Sequence, residues 1–293
     1  MARKNKAIII IEFIPVYILT KIVCIMPFGL TRLIGKYLGR MAFFIVRYRT
    51  KLARRNLRLV FPEMGEREIE NIVKKCWESI GQTALEFVKI PSLKKEKLLS
   101  IIDIDGREYL DRGLRQGNGV ILALTHFCNW EMMGFILACL GYHLAVIARP
   151  LDNPLIDKLV NALRNRWGTK IIAKRRAASG TIRHLKENGT IGIVIDQYLP
   201  GGIESDFFGY PSKMTSIIPL LAKKTNAEVL WISSIRNDKG FKTFIRPVEG
   251  FSQILSDDDY ARKGIDVLNR VAELWIRRYP HYWFWVHKKW RVS

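Results

Sequence analysis

The chain has 293 residues, 48% of them apolar, which is enough to bury one large core and too apolar for a disordered chain. Lys and Arg total 48 against 27 acidic residues, a formal charge of +21. Its partners should therefore be anionic: a membrane surface, an acidic protein or nucleic acid. Four scattered cysteines (Cys24, Cys76, Cys128, Cys139) form no C-x-x-C pair and no Cys/His cluster with zinc-ligand spacing, so they read as reduced thiols in a cytosol-facing protein.

Ile8 to Leu30 is a 23-residue apolar stretch interrupted by Glu12, Lys21, Pro15 and Pro27. That length can cross a bilayer, although two charges make insertion marginal. No small-residue cleavage site follows it. From Thr31 to Arg58 there are nine basic residues and no acidic one, with apolar residues between them at roughly helical spacing. A basic amphipathic helix beside an apolar anchor is suited to an anionic leaflet, and the positive excess after the anchor places the body of the protein in the cytoplasm. Residues 1–60 are thus read as an N-terminal membrane anchor with a basic amphipathic helix, and residues 61–293 as a catalytic domain.

Within the body, residues 63–90 read as helical and Pro91 ends that region. Strands and helices then alternate. Strands are expected at Ile101–Asp105, Val120–Leu124, His143–Ala148, Ile171–Lys174, Thr190–Ile195, Glu228–Ile235 and Phe241–Arg246. Helices are expected over Arg107–Arg115, Met132–Leu140, a segment opened by Asn153-Pro154 and stopped by Gly168, Ala178–Asn188 and Ala261–Tyr279. This alternation predicts an α/β fold with a mostly parallel central sheet flanked by helices, preceded by the membrane-associated helical segment.

Three of the expected strands end in polar residues: His126, Arg149 and Asp196. Ligands bind at the carboxyl ends of strands in open α/β sheets, so a base, a cation and an acid can line one crevice there. His126 can titrate near neutral pH. Glu131 follows it by five positions, a spacing that does not place the two on one helix face. They meet only if residues 127–129 turn, so Asp196 competes with Glu131 for the role of orienting His126.

The stretch Thr125-His126-Phe127-Cys128-Asn129-Trp130-Glu131 resembles the H-x4-D/E motif of glycerolipid-type acyltransferases, in the Asn-Trp-Glu form of the lipid A late (lauroyl/myristoyl) acyltransferase family. Arg54-Arg55-Asn56-Leu57, Phe61-Pro62-Glu63, Asn153-Pro154 with Arg164 and Gly168, Asp196-Gln197, Phe207-Phe208-Gly209 and the ending Trp283 to Trp290 resemble the same family, so the likeness covers nearly the whole chain. Cys128 stands where that family commonly carries Gly.

The resemblance implies transfer of a fatty acyl chain from acyl carrier protein or acyl-CoA to a hydroxyl of a lipid A precursor, at the bacterial inner membrane and without a cofactor or metal. His126 would act as general base, with Glu131 or Asp196 orienting and charge-stabilising it. Arg149 and Arg164 are candidates for holding an oxyanion or a lipid phosphate. Asn129 and Gln197, inside the matched blocks, are the remaining candidates for substrate contact. No Ser or Cys stands in a nucleophile elbow, so direct transfer without an acyl-enzyme is expected. The aromatic-basic ending suits an interfacial belt or a groove wall as well as an ordinary edge strand.

The alternative acceptors are other membrane lipids: a phosphatidylinositol mannoside, a lysophospholipid or an aminolipid. A non-catalytic basic membrane adaptor has no need of the acid/base set. No nucleic-acid partner is expected, because no helix-turn-helix, zinc module or aromatic-bearing Gly-rich strand accompanies the charge.

Overall fold

The computed structural model describes residues 5–173 and 177–290. Lys174, the expected end of one strand, lies outside the described residues. The amino-terminal apolar stretch is two helices, α1 (Lys6–Ile25) and α2 (Phe28–Ile45), because Met26 and Pro27 adopt extended backbone between them. Helices α3 (Arg47–Val60), α4 (Glu66–Lys89) and α5 (Lys95–Ser100) follow.

The alternating part runs β1 (Ile102–Asp105), α6 (Arg107–Arg115), β2 (Val120–Leu124), α7 (Trp130–Cys139), β3 (Leu144–Ala148), α8 (Pro154–Arg164), β4 (Lys170–Ala173), α9 (Ala177–Lys186) and β5 (Thr190–Val194). Then come the hairpin β6 (Ile203–Phe207) and β7 (Tyr210–Met214), α10 (Ile217–Thr225), β8 (Glu228–Arg236), β9 (Phe241–Pro247), α11 (Phe251–Ile254) and α12 (Tyr260–Arg278).

Seven strands form one sheet in the order β1-β9-β8-β2-β5-β3-β4. All neighbours are parallel except β8 and β9, so the mostly parallel sheet expected from the sequence is the observed one. Every residue of β2 is buried. Ile121 and Ala123 join one apolar cluster while Val120, Leu122 and Leu124 join another, which is why this strand is an unbroken apolar run rather than an alternating one.

The sequence reading missed α10 and the separate two-stranded sheet. The turn of that hairpin is Phe208-Gly209, with φ of 55° and 75°, the positive pair that a two-residue hairpin loop requires. Phe207-Phe208-Gly209 had been singled out for its resemblance alone, and its local signal is this turn.

Helix α2 turns its basic stripe toward the body of the protein. Gly35 and Gly39 bring its backbone so close to α4 that a Cβ on Gly39 would lie 2.1 Å from the Trp77 carbonyl oxygen. On that inward side Arg32 reaches Glu86, and Lys36 and Arg40 reach Glu78. Leu33, Ile34, Tyr37, Leu38, Met41, Phe44 and Ile45 point outward and are exposed. The basic stripe therefore faces the protein and the apolar stripe faces out.

Helix α1 is long and apolar enough to cross a membrane, with a mean hydropathy of 2.4 and 11% of that window buried. Its interrupting charge, Glu12, accepts a hydrogen bond from Asn153 Nδ2 at 2.9 Å. Near its other end, Lys89 donates to the Cys24 carbonyl at 2.6 Å. Both ends of α1 are thereby tied to the body.

Candidate active site

Strands β2 and β5 are parallel neighbours in register from Val120 and Thr190 to Leu124 and Val194. Their carboxyl ends therefore place His126 and Asp196 side by side although 70 residues separate them. The Nδ1 of His126 lies 2.7 Å from Asp196 Oδ1, and the His126 backbone N–H donates to Oδ2 at 3.0 Å. Trp283 Nε1 donates to the same Oδ2 at 2.7 Å. A fully buried carboxylate is thus surrounded by donors.

Burial pushes the Asp196 carboxyl up, but the charge and hydrogen bond of His126, helped by His287 and Trp283, outweigh it and hold the group well below the usual carboxylate range. For His126, burial favours the neutral ring, and the Asp196 carboxylate overrides it so that the imidazole is more basic than an ordinary histidine. With the Nδ1 proton engaged by Asp196, the neutral ring carries its lone pair on Nε2. Gln197 Nε2 approaches that atom at 3.4 Å.

His126 lines an open cavity of about 690 Å³ with Glu131, Arg149, Arg164 and Gln197. The remainder of its wall is largely apolar and includes Leu122, Leu124, Met133, Leu137 and Val146. Glu131, in the first turn of α7, is spent elsewhere: Arg164 Nε donates to it at 3.0 Å, and Nη2 completes a two-pronged pair. Of the two carboxylates that competed for His126, Asp196 makes the contact and Glu131 holds the arginine at the end of α8. Arg149 lines the cavity with no ion pair among the described residues.

Asn129 does not reach this cavity. It is fully buried at the N-cap of α7, where Oδ1 accepts from the Met132 N–H at 3.0 Å and Nδ2 donates to Glu86 at 2.9 Å. Its contribution is to fix the loop between His126 and Glu131.

That loop rests on residues the sequence reading did not single out. Arg236, from the end of β8, donates to Glu86 (2.8 Å), Thr83 (2.7 Å) and Ser79 (2.8 Å), all on α4. Thr83 in turn donates to the Cys128 carbonyl at 2.8 Å. Cys128 has φ of 50°, a left-handed backbone that glycine adopts more easily, which accounts for the Gly of the resembling motif. Its thiol is buried and pushed up, so it is no nucleophile.

The terminal aromatics form neither a belt nor an edge strand. Trp283, Trp285 and Trp290 are buried in the core. Their only bridge to a strand-like partner among the described residues is Phe127 with Trp283. Of these Trp283 reaches the site through Asp196, and the Phe284 ring lies 6.0 Å from that of His126.

One metal-like group occurs among the described residues: the ligand atoms of His143, His184 and Glu187 lie within 4.8 Å of one another. Sequence spacing hides it, since 41 residues separate the histidines. It sits at the amino end of β3, on the opposite edge of the sheet from His126. There His184 Nε2 already donates to the His143 and Thr190 carbonyls.

The histidine–carboxylate pair thus opens on a largely apolar cavity at the carboxyl edge of a mostly parallel sheet. The family model of the bacterial lipid A biosynthesis acyltransferases matches residues 3–292. The chain belongs to that family and is an O-acyltransferase. It is 24% identical over 273 residues to the lipid A biosynthesis palmitoleoyltransferase of Escherichia coli (strain K12), covering 91% of this chain and 87% of that one. It is 26% identical over 280 residues to the lauroyltransferase of the same organism, again covering 91% and 87%. With the myristoyltransferase it shares 24% identity over 256 residues, covering 86% and 78%.

Proposed function

We propose that the protein transfers a fatty acyl chain from acyl carrier protein or acyl-CoA to a hydroxyl of a lipid A precursor, with His126 as general base and Asp196 as the group that orients it. The observation that carries this reading is the 2.7 Å contact of His126 Nδ1 with buried Asp196, which leaves Nε2 toward an apolar cavity. A cavity of about 690 Å³ lies within the usual range for ligand sites, roughly 300–1,000 Å³.

In the proposed reaction the acceptor hydroxyl gives its proton to His126 Nε2 as its oxygen attacks the thioester carbonyl carbon. The imidazolium is stabilised by the Asp196 carboxylate. The oxyanion collapses, the carbon–sulfur bond breaks, and the thiolate takes the proton back from Nε2. No acyl-enzyme intervenes. Arg149 and the Glu131-anchored Arg164 are the cations available to the developing negative charge. Gln197, beside Nε2, is placed to contact the attacking group.

We place the enzyme at the bacterial inner membrane with its active site on the cytoplasmic side. Support comes from the exposed apolar residues of α1 and α2, which together form a far larger apolar surface than soluble monomers tolerate. The ties of α1 to Asn153 and Lys89 favour a helix lying in the interface over one that crosses.

The test is mass spectrometry of a lipid A precursor incubated with acyl carrier protein thioesters and purified enzyme, wild type beside His126→Ala. The reading requires a product heavier by one acyl chain with wild type alone. Equal product from His126→Ala would remove the base from the mechanism.

A further inference from the structure

The nine basic residues between Thr31 and Arg58 look alike in sequence, but the fold divides them. Arg32, Lys36 and Arg40 pair with Glu86 and Glu78. On α3, Arg54 and Arg58 each make a two-pronged pair, with Glu70 and Glu66, and Arg49 donates to the Val286 carbonyl at 3.0 Å. Arg47, Lys51 and Arg55 have no ion pair among the described residues, and of these Lys51 and Arg55 share one face of the helix. Arg55 makes one long contact, 3.5 Å, with the Trp290 carbonyl.

Tyr48, Lys51, Leu52 and Arg55 follow the i, i+3, i+4, i+7 pattern and so share one face of α3. That face lines a second cavity, of about 1,080 Å³. Across it stands Lys288, whose ammonium lies 5.7 Å from the centre of the Tyr48 ring. Three cations thus meet in a cavity lined by no carboxylate among the described residues.

The position of this cavity is as informative as its charge. Gln197, Tyr198 and Pro200 line both it and the apolar cavity, so the two chambers meet at the residue that touches His126 Nε2. His287, another of its lining residues, approaches the Asp196 carbonyl at 3.3 Å. An occupant held by the cations can therefore extend past Gln197 to the reacting proton.

We propose that Lys51, Arg55 and Lys288 form a phosphate-binding subsite that seats the phosphate ester of a substrate while its reacting group reaches His126. This rests on the acyl-transfer reading and names the chemistry that anchors one of its substrates. Lysines and an arginine around an acid-free cavity suit an anionic phosphate ester, which each cation contacts by charge-assisted hydrogen bonds. The phosphate can come from the lipid acceptor or from the phosphodiester of the donor's thiol-bearing arm.

Two measurements on the full-length protein in detergent test the subsite. In the first, inorganic pyrophosphate is titrated calorimetrically into wild type and into the Lys51→Ala/Arg55→Ala/Lys288→Ala variant. The side chains are exposed, so the variant should keep its melting temperature, and Arg55→Ala alone serves as a milder check. Wild type should bind at least tenfold more tightly than the triple variant.

In the second, KM is measured separately for acceptor and donor. A rise of tenfold or more for the acceptor alone assigns the phosphate to the lipid, and a rise for the donor alone assigns it to the carrier arm. Equal pyrophosphate affinity in both proteins with both KM values unchanged overturns the proposal. If wild type binds pyrophosphate through these cations yet transfers no acyl chain, the acyl-transfer reading fails and the subsite stands.

Discussion

His126 and Asp196 stand 2.7 Å apart, Nδ1 to Oδ1, at the carboxyl ends of two neighbouring parallel strands. The same carboxylate also holds the His126 backbone N–H, so it sets both the position of the residue and the tautomer of its ring. Glu131, the carboxylate of the sequence motif, instead grips Arg164. His126 and Arg164 are thereby fixed by different acids.

Glu131 and Arg164 should consequently behave as a unit. Glu131→Gln and Arg164→Met are each expected to lower kcat/KM, and the double variant to lose little more than the worse single one. A cycle of the four proteins measures this, with a coupling of about 0.5–3 kcal/mol expected for residues in direct contact. Fully additive losses would mean that the pair does not act together.

Arg236 and Glu86 form a buried pair beneath the His126 loop. Burial opposes the charge on Arg236, but the Glu86 carboxylate and its hydrogen bonds outweigh it, so the guanidinium stays charged. Arg236→Met leaves Glu86 without its main partner and should cost about 3–5 kcal/mol of stability. Denaturant titration reads it directly. A loss below about 1 kcal/mol would show that the remaining contacts of Glu86 with Asn129 and Arg32 suffice.

Lys289 is fully buried against Phe207 and Met214. Burial lowers its pKa from 10.5 to about 7, against weaker opposing pulls from Asp196 and Glu273. Between about pH 7 and 10.5 the unfolded chain binds a proton that the folded one does not, so folded stability rises with pH across that window. Lys289→Met removes the penalty. It should raise the melting temperature at pH 7, with a gain that shrinks toward pH 10. A variant less stable than wild type at both values would contradict this account.

Gly192, on β5, lines the apolar cavity, and a Cβ there would meet Val146 and Leu124 at ordinary contact distances of 3.7 and 3.8 Å. Gly192→Val should therefore fold and fill part of the chamber. Offered a mixture of thioesters, the variant should favour shorter acyl chains than wild type does. An unchanged product distribution would place the acyl chain elsewhere.

Much of the architecture was legible because it is local. Unbroken apolar strands, the Asn153-Pro154 helix start and positive-φ glycines at helix ends such as Gly168 announce themselves within a few residues. His126 and Asp196 were legible as strand-end residues, but their pairing depended on strand order, which periodicity does not encode. The same reason hid Arg236, Glu86 and Trp283, whose partners lie 87 to 150 residues away. The orientation of α2 was not legible, because a helix with one apolar and one basic stripe looks the same whichever stripe faces the protein. Gly35 and Gly39, which admit the α4 backbone, decide it.

The most direct test of the central claim is the pH dependence of kcat/KM for wild type and Asp196→Asn. Because Asp196 makes His126 more basic than an ordinary histidine, with its usual value of 6.5, and because the base must be unprotonated, wild-type activity should fall with acid through an apparent pKa above 6.5. In Asp196→Asn that acid limb should move below 6.5 and the plateau should drop by about a thousandfold or more, as when an orienting carboxylate is lost from comparable acid/base sets. Glu131→Gln should move the limb less. An acid limb that stays in place when Asp196 becomes Asn would contradict the assignment of His126 and Asp196 as the catalytic pair.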